Sequence, residues 1–389
     1  MPSHKLNRYL IKSKIDINHK SIDYLVMGAE AADLDSMASS IAYAYFLNAV
    51  ENDRVIVPLI PIVRDDFKLR TEAAYVFDRA GINIKSLIFL DDIDFKTVVK
   101  RVVGLVLVDH NQLPDPLSHL QDKVAVILDH HRNQGLYPHA VKRVIEPVGS
   151  TATLVGEELI AHCPNIIDGH LALLLWGTIL LDTVNLDHGA CRVTSRDEQT
   201  ASVLMGLCPV DQTEYFGKIQ AARFNNALLS TFDLLRKDYK EFKSGRISWG
   251  IASVLLPLDQ WGKRDTELCL GFEDYLHRRN LNLLISMNAY RTPRFSRDLA
   301  VYSTAKALPG KLIDFLQNKG LDLTPHSTMN QKPCHRGKIS FYRQGNLEIS
   351  RKKLTPLLDD YFGKDKEINE DNQENAAWLS PHQDSRDLF

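Results

Sequence analysis

The sequence predicts a mixed α/β fold, in which a mainly parallel sheet flanked by helices is followed by a smaller α+β domain. In the first half of the chain, short apolar runs rich in β-branched residues alternate with segments of helical spacing. Such runs are typical of buried strands in parallel sheets, whose connections are helical. Beyond residue 208 this alternation is lost, which indicates a second domain of another type. The length of 389 residues is sufficient for two domains.

The first domain is predicted to span residues 1–208. Its strands are expected at 24–27, 55–63, 87–90, 104–108 and 124–128, and its helices at 36–50, 71–80, 151–161 and 168–182. Pro58 and Pro61 indicate that the second strand lies at an edge of the sheet or ends early. Gly81 is expected to end the second helix. The first 20 residues are polar, so we expect them to lie at the periphery.

A mainly helical connector over residues 209–236 is predicted to lead into the second domain, residues 237–362. In that domain strands are expected at 247–255, 281–287, 298–303 and 339–343, and helices at 271–279, 308–318 and 353–362. Residues 363–389 form a polar, acidic tail with few apolar groups, which we expect to be disordered.

Composition and charge exclude several classes of protein. The formal net charge of −2 provides no global basic field, so a polyanion would have to be bound by a local patch. The five cysteines are scattered and lack Cys-x-x-Cys spacing, which argues against a disulfide framework or zinc cluster and for a reducing compartment. The most apolar segment, residues 171–181, is too short to cross a bilayer. We therefore expect a cytoplasmic monomer without a membrane or nucleic-acid partner.

Carboxylates follow the predicted apolar segments at four places. They are Asp33 with Asp35, then Asp109, then Asp129-His130-His131, and finally Asp182. Each alone has an ordinary explanation, since aspartate caps helices and begins turns. Together, however, they would repel one another at one edge of the sheet unless cations were bound. Oxygen ligands with few imidazoles suit Mg²⁺ or Mn²⁺, and a shared carboxylate can hold two ions about 3.5–4 Å apart.

These segments also carry a family resemblance. Residues 28–36, 108–111, 129–131 and 181–183 resemble, in order, the four motifs of the DHH phosphoesterase superfamily. In the second domain, residues 238–242 and 350–353 resemble the phosphate-binding segments of the DHHA2 domain. That pairing of domains is found in exopolyphosphatases, manganese-dependent inorganic pyrophosphatases and prune-like proteins. The chain is most similar to the fungal-type cytosolic exopolyphosphatases, over nearly its whole length apart from the tail.

The resemblance implies a site for two divalent metal ions, with Mg²⁺ as the first expectation and Mn²⁺ as the alternative. One ion would be held by Asp33 and Asp109. The other would be held by Asp35, Asp109, His130 and Asp182, so that Asp109 is shared. Metal binding makes water more acidic, so that it can attack phosphorus near neutral pH.

The resemblance also implies how phosphate is bound. His131 is expected to face the phosphate as a hydrogen-bond donor or proton-transfer group, which makes His131 and Asp109 the candidate catalytic residues. Asp129 is expected to orient a neighbouring imidazole. Phosphate oxygens would be bound from the second domain by Lys240, Arg351 and Lys352. Because an arginine can bind phosphate bidentately, Arg351→Lys should not be a conservative change.

Ala29 departs from the family pattern. Pyrophosphatase members have a metal-binding histidine there, and alanine has no donor atom. Loss of an imidazole favours Mg²⁺ over Mn²⁺ and argues against a dedicated pyrophosphatase. We therefore expect an exopolyphosphatase that releases orthophosphate from linear polyphosphate. The alternatives are a pyrophosphatase, a nucleoside-polyphosphate hydrolase, an exonuclease or cyclic-nucleotide phosphodiesterase of the DHH type, and a prune-like phosphodiesterase or scaffold.

The second domain contains further basic residues, at 277–279 and at Arg291, Arg294 and Arg297. They either form a solvated basic face or line a channel along which a long phosphate chain is threaded. The sequence leaves both interpretations open.

Overall fold

The computed structural model describes residues 5–364, apart from residues 52, 228, 292, 306, 328, 330 and 331. The chain divides into two compact units, the first ending at Asn225 and the second beginning at Asn226. The predicted connector, residues 209–236, is thus divided between them. Its first helix belongs to the first unit and its second helix to the second unit.

The first unit contains a five-stranded sheet in which every pairing is parallel. Its strands are β1 (Ile22–Met27), β2 (Ile56–Leu59), β3 (Val102–Val108), β4 (Val124–Asp129) and β5 (Lys142–Ile145). Their order in the sheet is β2-β1-β3-β4-β5, so β2 lies at an edge, as its prolines predicted.

Helices cover both faces of this sheet. They are α1 (Lys5–His19), α2 (Leu34–Val50), α3 (Thr71–Arg79), α4 (Phe95–Val98), α5 (Thr151–His162), α6 (Gly169–Asp182), α7 (Ser195–Met205) and α8 (Gln212–Phe224). Alternate residues of each strand enter two separate cores. In β3, for example, Val106 and Val108 pack in one core, whereas Leu105 and Leu107 pack in the other. The predicted parallel sheet flanked by helices is therefore confirmed.

Several sequence-based expectations for the first unit were wrong. The first 20 residues are not merely peripheral, because α1 buries Leu6, Leu10 and Ile17. The strand predicted at 87–90 is reduced to a single bridge between Ile60 and Phe89, followed by a 3₁₀ turn. Strand β5 was missed, and the second strand is shorter than predicted.

The second unit is built on a mixed sheet. Its strands are β6 (Tyr239–Ser244), β7 (Ile247–Val254), β8 (Leu283–Arg291), β9 (Phe295–Ser303), β10 (Leu323–Pro325), β11 (Lys332–Pro333) and β12 (Lys338–Gln344). The order is β10-β12-β9-β8-β7-β6, with β11 on β12. Strands β7 and β8 pair in parallel, and the remaining pairs are antiparallel. The predicted α+β character is confirmed, although β6, β10 and β11 were missed.

The helices of this unit are α9 (Thr231–Lys237), α10 (Leu258–Arg264), α11 (Leu268–Arg278), α12 (Leu308–Asn318) and α13 (Arg351–Lys364). Helix α13 extends two residues into the segment predicted as a disordered tail. The rest of that segment, residues 365–389, lies outside the described residues. None of the helices within the described ranges is long and apolar enough to cross a membrane.

Two of the scattered cysteines, Cys269 and Cys334, are joined in a disulfide with their Cα atoms 5.7 Å apart. The sequence did not predict this pair, because 65 positions separate the two residues and no motif links them. The other three cysteines, Cys163, Cys191 and Cys208, are free, so this one disulfide does not form part of a larger framework.

Candidate metal centre

The carboxyl ends of β3 and β4 bring two of the predicted motifs together. Asp109 directly follows β3, and His130 and His131 directly follow β4. One ligand atom from each of these three residues lies within 4.8 Å of the others. Because ligands of parallel sheets collect at the carboxyl ends of the strands, this position is typical of a functional site.

Asp109 is fixed by both its backbone and its side chain. Its φ of +65° lies in the left-handed region, which aspartate tolerates better than most residues. Its N–H donates to the carbonyl of Leu128 at 2.8 Å, which ties the end of β3 to β4. The hydroxyls of Ser36 and Thr151 donate to Oδ2 and Oδ1 respectively, at 2.5 and 3.0 Å. The carboxylate therefore has a defined orientation.

Asp35 is buried in the first turn of α2 and accepts hydrogen bonds from three donors. The Ser39 hydroxyl donates to Oδ1 at 2.8 Å, and the N–H groups of Thr151 and Ala152 donate at 2.7 and 2.9 Å. The two amides belong to the first turn of α5, where unpaired N–H groups favour an anion. Burial and the nearby charge of Asp109 nevertheless raise the pKa of Asp35 to about 7.

Asp33 caps α2 by accepting a hydrogen bond from the N–H of Ser36 at 3.0 Å. The ordinary explanation of this residue is thus correct, but it does not account for its electrostatics. Desolvation and the charge of Asp109 raise the pKa of the Asp33 carboxyl. A cap alone would be expected to lower that pKa, so the upward shift reflects burial first and the neighbouring like charge second.

Asp182 ends α6, and its carboxylate has an unusual environment. Among the described residues, no donor contacts its buried Oδ2 atom. Burial, followed by the charges of Asp35 and Asp33, raises the pKa of Asp182 well above its usual range. A buried oxygen without a donor is costly. A cation at this position would remove both the repulsion and the missing contact.

The backbone after Asp182 is strained. Val184, Asn185 and Leu186 have φ values of 53°, 64° and 62°, a left-handed run without glycine. The N–H of Asn185 donates to the carbonyl of Leu180 at 2.7 Å, and this bond closes the turn onto α6. The strain is thus located directly beside the carboxylate whose Oδ2 atom has no donor among the described residues.

His130 presents one nitrogen to the acidic cluster. Its Nδ1 atom lies 3.0 Å from the carbonyl of Val148, which requires the proton on Nδ1. Its Nε2 atom lies 3.4 Å from Asp109 Oδ1 and 4.0 Å from Asp35 Oδ2. Although burial disfavours the imidazolium, the hydrogen bond to Asp109 and the charge of Asp35 raise the pKa of His130 to about 10. A proton on Nε2 therefore occupies the position that a metal ion could take.

His131 has a different environment. Asp129 is fully buried, and its Oδ1 atom lies 2.8 Å from His131 Nδ1 and accepts from the His131 N–H at 3.1 Å. The other oxygen of Asp129 accepts from the amide of Asn111. The hydrogen bond to Asp129 raises the pKa of His131, whose side chain is 60% exposed. Asp129 thus orients His131 rather than His130.

The residues present suit a divalent metal ion. Burial first, and then the crowding of like charges, raises the pKa values of Asp33, Asp35 and Asp182. Within the described part of the chain, one buried oxygen of Asp182 has no hydrogen-bond donor. Carboxylate oxygens with one imidazole nitrogen form a donor set for Mg²⁺ or Mn²⁺. Those three aspartates, with Asp109 and His130, are the candidates to hold it.

Sequence reasoning missed the polar residues that support this cluster. The start of α5 contacts three of the carboxylates: Ser150 contacts Asp182, Thr151 contacts Asp35 and Asp109, and Ala152 contacts Asp35. A Ser-Thr pair at a helix start is visible in the sequence. The carboxylates that this pair contacts could not be predicted, because Asp35 and Thr151 are 116 positions apart.

Asp197, fully buried, holds this segment in place. Its carboxylate accepts from the N–H of Gly149 and the hydroxyl of Thr153 on one side, and from the N–H and hydroxyl of Thr194 on the other. The approach requires glycine at position 149, since a Cβ there would lie 2.6 Å from the carbonyl oxygen of Arg192. Asp197 therefore connects α7 to the loop before α5.

Ala29 borders a cavity of about 510 Å³ at the carboxyl ends of β1 and β3. His110, Pro61 and Leu113 are among the other lining residues. The cavity provides room for a larger side chain at position 29.

The predicted phosphate-binding residues lie in the second unit. Lys240 on β6 and Lys352 on α13 are exposed. Arg351 is partly buried, and its guanidinium group pairs with Asp238 at 2.7 Å. The structure thus shows a partner for Arg351 that the sequence did not predict.

The arginines predicted to line a channel do not form one group. Arg297 is only 8% exposed and donates to the carbonyls of Leu347 and Ile349, each at 3.0 Å. A channel role for Arg297 is therefore wrong, because its donors are used inside the unit. Arg291 and Arg294 are exposed. The charge of the second basic group, residues 277–279, is partly neutralised, since Arg278 pairs with Asp274 and Arg279 pairs with Glu241.

Comparison with known proteins identifies two family domains in the chain. Residues 23–178 match the model of the DHH family, N-terminal domain, and residues 217–361 match that of the DHHA2 domain. The chain is 34% identical over 359 residues to "Putative exopolyphosphatase" of Schizosaccharomyces pombe, covering 86% of this chain and 90% of that protein. It is 31% identical to "Exopolyphosphatase PRUNE1" of Bos taurus, covering 91% and 78% respectively. Identity to "Manganese-dependent inorganic pyrophosphatase" of Bacillus subtilis is 26%, covering 67% and 80%.

Proposed function

The chain belongs to the DHH family and also carries the DHHA2 domain, and on this premise we propose that it is a metal-dependent exopolyphosphatase. It would remove terminal orthophosphate from linear inorganic polyphosphate. The observation that carries the proposal is the acidic cluster around Asp109 and His130, which directly follow β3 and β4. Burial and neighbouring carboxyl charges raise the pKa values of Asp33, Asp35 and Asp182 there, and no donor among the described residues contacts Asp182 Oδ2. The names of the most similar relatives support polyphosphate as the substrate.

We propose that Asp33 and Asp109 hold one divalent ion and that Asp35, Asp109, His130 and Asp182 hold the other. When bound, such ions act as Lewis acids that make water more acidic and offset phosphate charge. The donor set contains a single imidazole, which favours Mg²⁺ over Mn²⁺. His130 would use Nε2, because its Nδ1 proton is directed to the carbonyl of Val148.

His131 would serve as the proton donor to a phosphate oxygen. Asp129 holds its Nδ1 atom, which leaves Nε2 on an exposed ring for the substrate. The hydrogen bond to Asp129 also raises the pKa of His131, so the imidazolium is populated at higher pH. Lys240, Arg351 and Lys352 would neutralise phosphate oxygens as positioned cations.

The second candidate is hydrolysis of diphosphate, which the similarity to the Bacillus subtilis pyrophosphatase favours. Ala29 argues against it, because this position supplies no imidazole ligand. Hydrolysis of nucleoside polyphosphates and a prune-like scaffold role are further alternatives. Cytoplasmic location, a monomeric state and the lack of a nucleic-acid partner stay predictions.

Phosphate release from long polyphosphate, tripolyphosphate, diphosphate and a nucleoside triphosphate, each with Mg²⁺ and with Mn²⁺, tests the proposal. We expect the highest kcat/KM with polyphosphate and Mg²⁺. Asp182→Asn should abolish release, whereas Asp122→Asn, which changes an exposed acid of the same unit, should not. A strong preference for diphosphate would overturn the proposal, and full activity of Asp182→Asn would overturn the assignment of the site.

A further inference from the structure

Arg351 is held at one edge of its guanidinium group by a single residue. Its Nη1 atom donates to the main-chain carbonyl of Asp238 at 2.8 Å, and its Nη2 atom donates to Asp238 Oδ1 at 2.7 Å. The arginine side chain is 19% exposed and the aspartate side chain 54%. Two acceptors on one residue fix the plane of the guanidinium group, which one acceptor would not.

Asp238 is itself held in place. It ends α9 and directly precedes β6. Its carbonyl oxygen also accepts from the N–H of Ser253 on β7 at 2.8 Å. The carbonyl that receives Arg351 is therefore part of the main-chain bonding of the sheet.

The backbone from which Arg351 projects is fixed from the other direction. The carbonyl of Ile349 accepts from Arg297 Nη1 at 3.0 Å and from Gln344 Nε2 at 2.8 Å. Both donors are buried. The start of α13 is thus held by a buried cation, and the tip of Arg351 is held by Asp238.

The hydrogen bonds to Asp238 use only part of the donor capacity of Arg351. A guanidinium group has five N–H donors, and Asp238 receives one from each terminal nitrogen. The Nε–H and the second hydrogen of each terminal nitrogen are left. Parallel N–H groups of this kind match two oxygens of one phosphate.

Lys240 lies on the face of β6 that is turned toward α13. Phe242 stacks on Trp249 with the ring centroids 4.4 Å apart, and Trp249 packs on Phe362 of α13. The hydroxyl of Ser244 donates to Asp359 of the same helix. Because side chains alternate along a strand, Lys240 shares the face of Phe242 and Ser244.

We propose that Asp238 is a positioning residue for phosphate binding in the second unit. It occupies the terminal edge of the Arg351 guanidinium group and thereby directs the remaining donors, together with Lys240, to two oxygens of the substrate phosphate. This role rests on the proposed exopolyphosphatase function. It differs from a latch, in which Asp238 would compete with phosphate for Arg351.

A double-mutant cycle on the full chain tests this role. KM and kcat for tripolyphosphate are measured for the wild type, Asp238→Asn, Asp238→Ala, Arg351→Ala and the double variant Asp238→Ala with Arg351→Ala. The matched control is Asp274→Asn, which removes the charged partner of exposed Arg278 in the same unit. Melting temperature and the Mg²⁺ concentration for half-maximal activity are recorded for each variant.

We expect Asp238→Ala to raise KM about tenfold, in line with loss of a hydrogen bond to a charged group. Asp238→Asn should have a smaller effect, because its amide oxygen still accepts from Nη2. The double variant should be no worse than Arg351→Ala, and the Mg²⁺ requirement should be unchanged.

Three results would overturn the inference. They are an unchanged KM in both Asp238 variants, a KM lowered as a latch requires, or an Asp238→Ala effect that persists in full when Arg351 is already alanine. If Asp238→Ala does not fold, the inference is tested by comparing the KM of Asp238→Asn with that of the Asp274→Asn control. A wild-type protein that does not hydrolyse polyphosphate would instead refute the proposed function, so the two failures are distinguishable.

Discussion

Replacing Asp197 by asparagine changes a buried acceptor whose hydrogen bonds, within the described part of the chain, go to Gly149, Thr153 and Thr194 and not to a predicted metal ligand. In the wild type, Oδ1 accepts from Gly149 N–H and the Thr153 hydroxyl, while Oδ2 accepts from Gly149 N–H and from both donors of Thr194. An asparagine has one acceptor oxygen and one donor group. Its better orientation keeps oxygen at the Oδ2 position, where two main-chain N–H groups are satisfied.

The expected loss in the free energy of unfolding follows from those contacts. In that orientation only the Thr153 hydroxyl loses its acceptor, along with the charge that strengthened the other bonds. Loss of one charge-assisted hydrogen bond is worth about 1.5–3 kcal/mol. Asp197→Ala would leave the partly buried N–H groups of Gly149 and Thr194 without these acceptors and should lower the free energy of unfolding by about 3–5 kcal/mol.

Hydrogen exchange followed by mass spectrometry can locate the effect. In Asp197→Asn, amides in peptides containing Gly149 and Thr194 should exchange about 10- to 100-fold faster, because local opening becomes easier by the same free energy. Because this loop leads into Thr151 and Ala152, the affinity for Mg²⁺ or Mn²⁺ should fall as well. Asp168→Asn, which alters the cap of α6, is the control and should leave both peptides and metal affinity unchanged.

Unchanged exchange in those two peptides would refute the idea that Asp197 holds the loop. Faster exchange with unchanged metal affinity would refute a narrower point, namely that the loop positions the contacts of Thr151 and Ala152 with Asp35.

Four further predictions concern the site and the second unit. Ala29→His should raise Mn²⁺ affinity and diphosphate hydrolysis, because the adjoining cavity can take an imidazole ligand; if titration and phosphate release show neither, the account of this position is wrong. With a chelator present, the melting temperature should rise as the pH falls through about 7, since the folded protein binds the Asp35 proton more tightly than the unfolded chain does. Mg²⁺ or the Asp35→Asn substitution should flatten that slope, and a slope unaffected by both would contradict the assignment. Arg297→Met should lower the melting temperature, because the carbonyl of Leu347 loses its buried donor and that of Ile349 keeps only the bond from Gln344. The double variant Arg291→Ala with Arg294→Ala should keep the melting temperature but raise KM more for long chains than for tripolyphosphate, and equal effects would dispose of a channel.

The parts of the fold predicted correctly are those whose side chains repeat with a regular period. Strands β3 and β4 are apolar runs that end in an acid, and each was placed within two residues of its observed start. Helix α1 was missed because lysines surround its apolar positions, although Leu6, Leu10 and Ile17 lie on one helical face. The helical spacing of these apolar residues therefore indicates α1 better than the polar composition of the segment does.

In the candidate site, the acidic residues could be predicted from the sequence but their hydrogen-bond donors could not. The acids were visible because each follows an apolar run. Their hydrogen-bond donors were not, since Thr151 and Asp197 contact residues of distant segments and no spacing rule connects them. Arg297 and Arg291 cannot be distinguished by sequence alone, because burial of one and exposure of the other depend on what packs against β9 and β8.

The turn after Asp182 has a thermodynamic consequence. Left-handed backbone costs about 1–2 kcal/mol for each residue other than glycine, and Val184, Asn185 and Leu186 adopt it in succession. That sum is a sizeable share of the 5–15 kcal/mol by which domains are usually stable. Glycine at these positions would lower the cost but would also widen the range of conformations open to the turn. Global stability is therefore lower and the turn is more rigid, next to the Asp182 Oδ2 atom that no donor within the described ranges contacts.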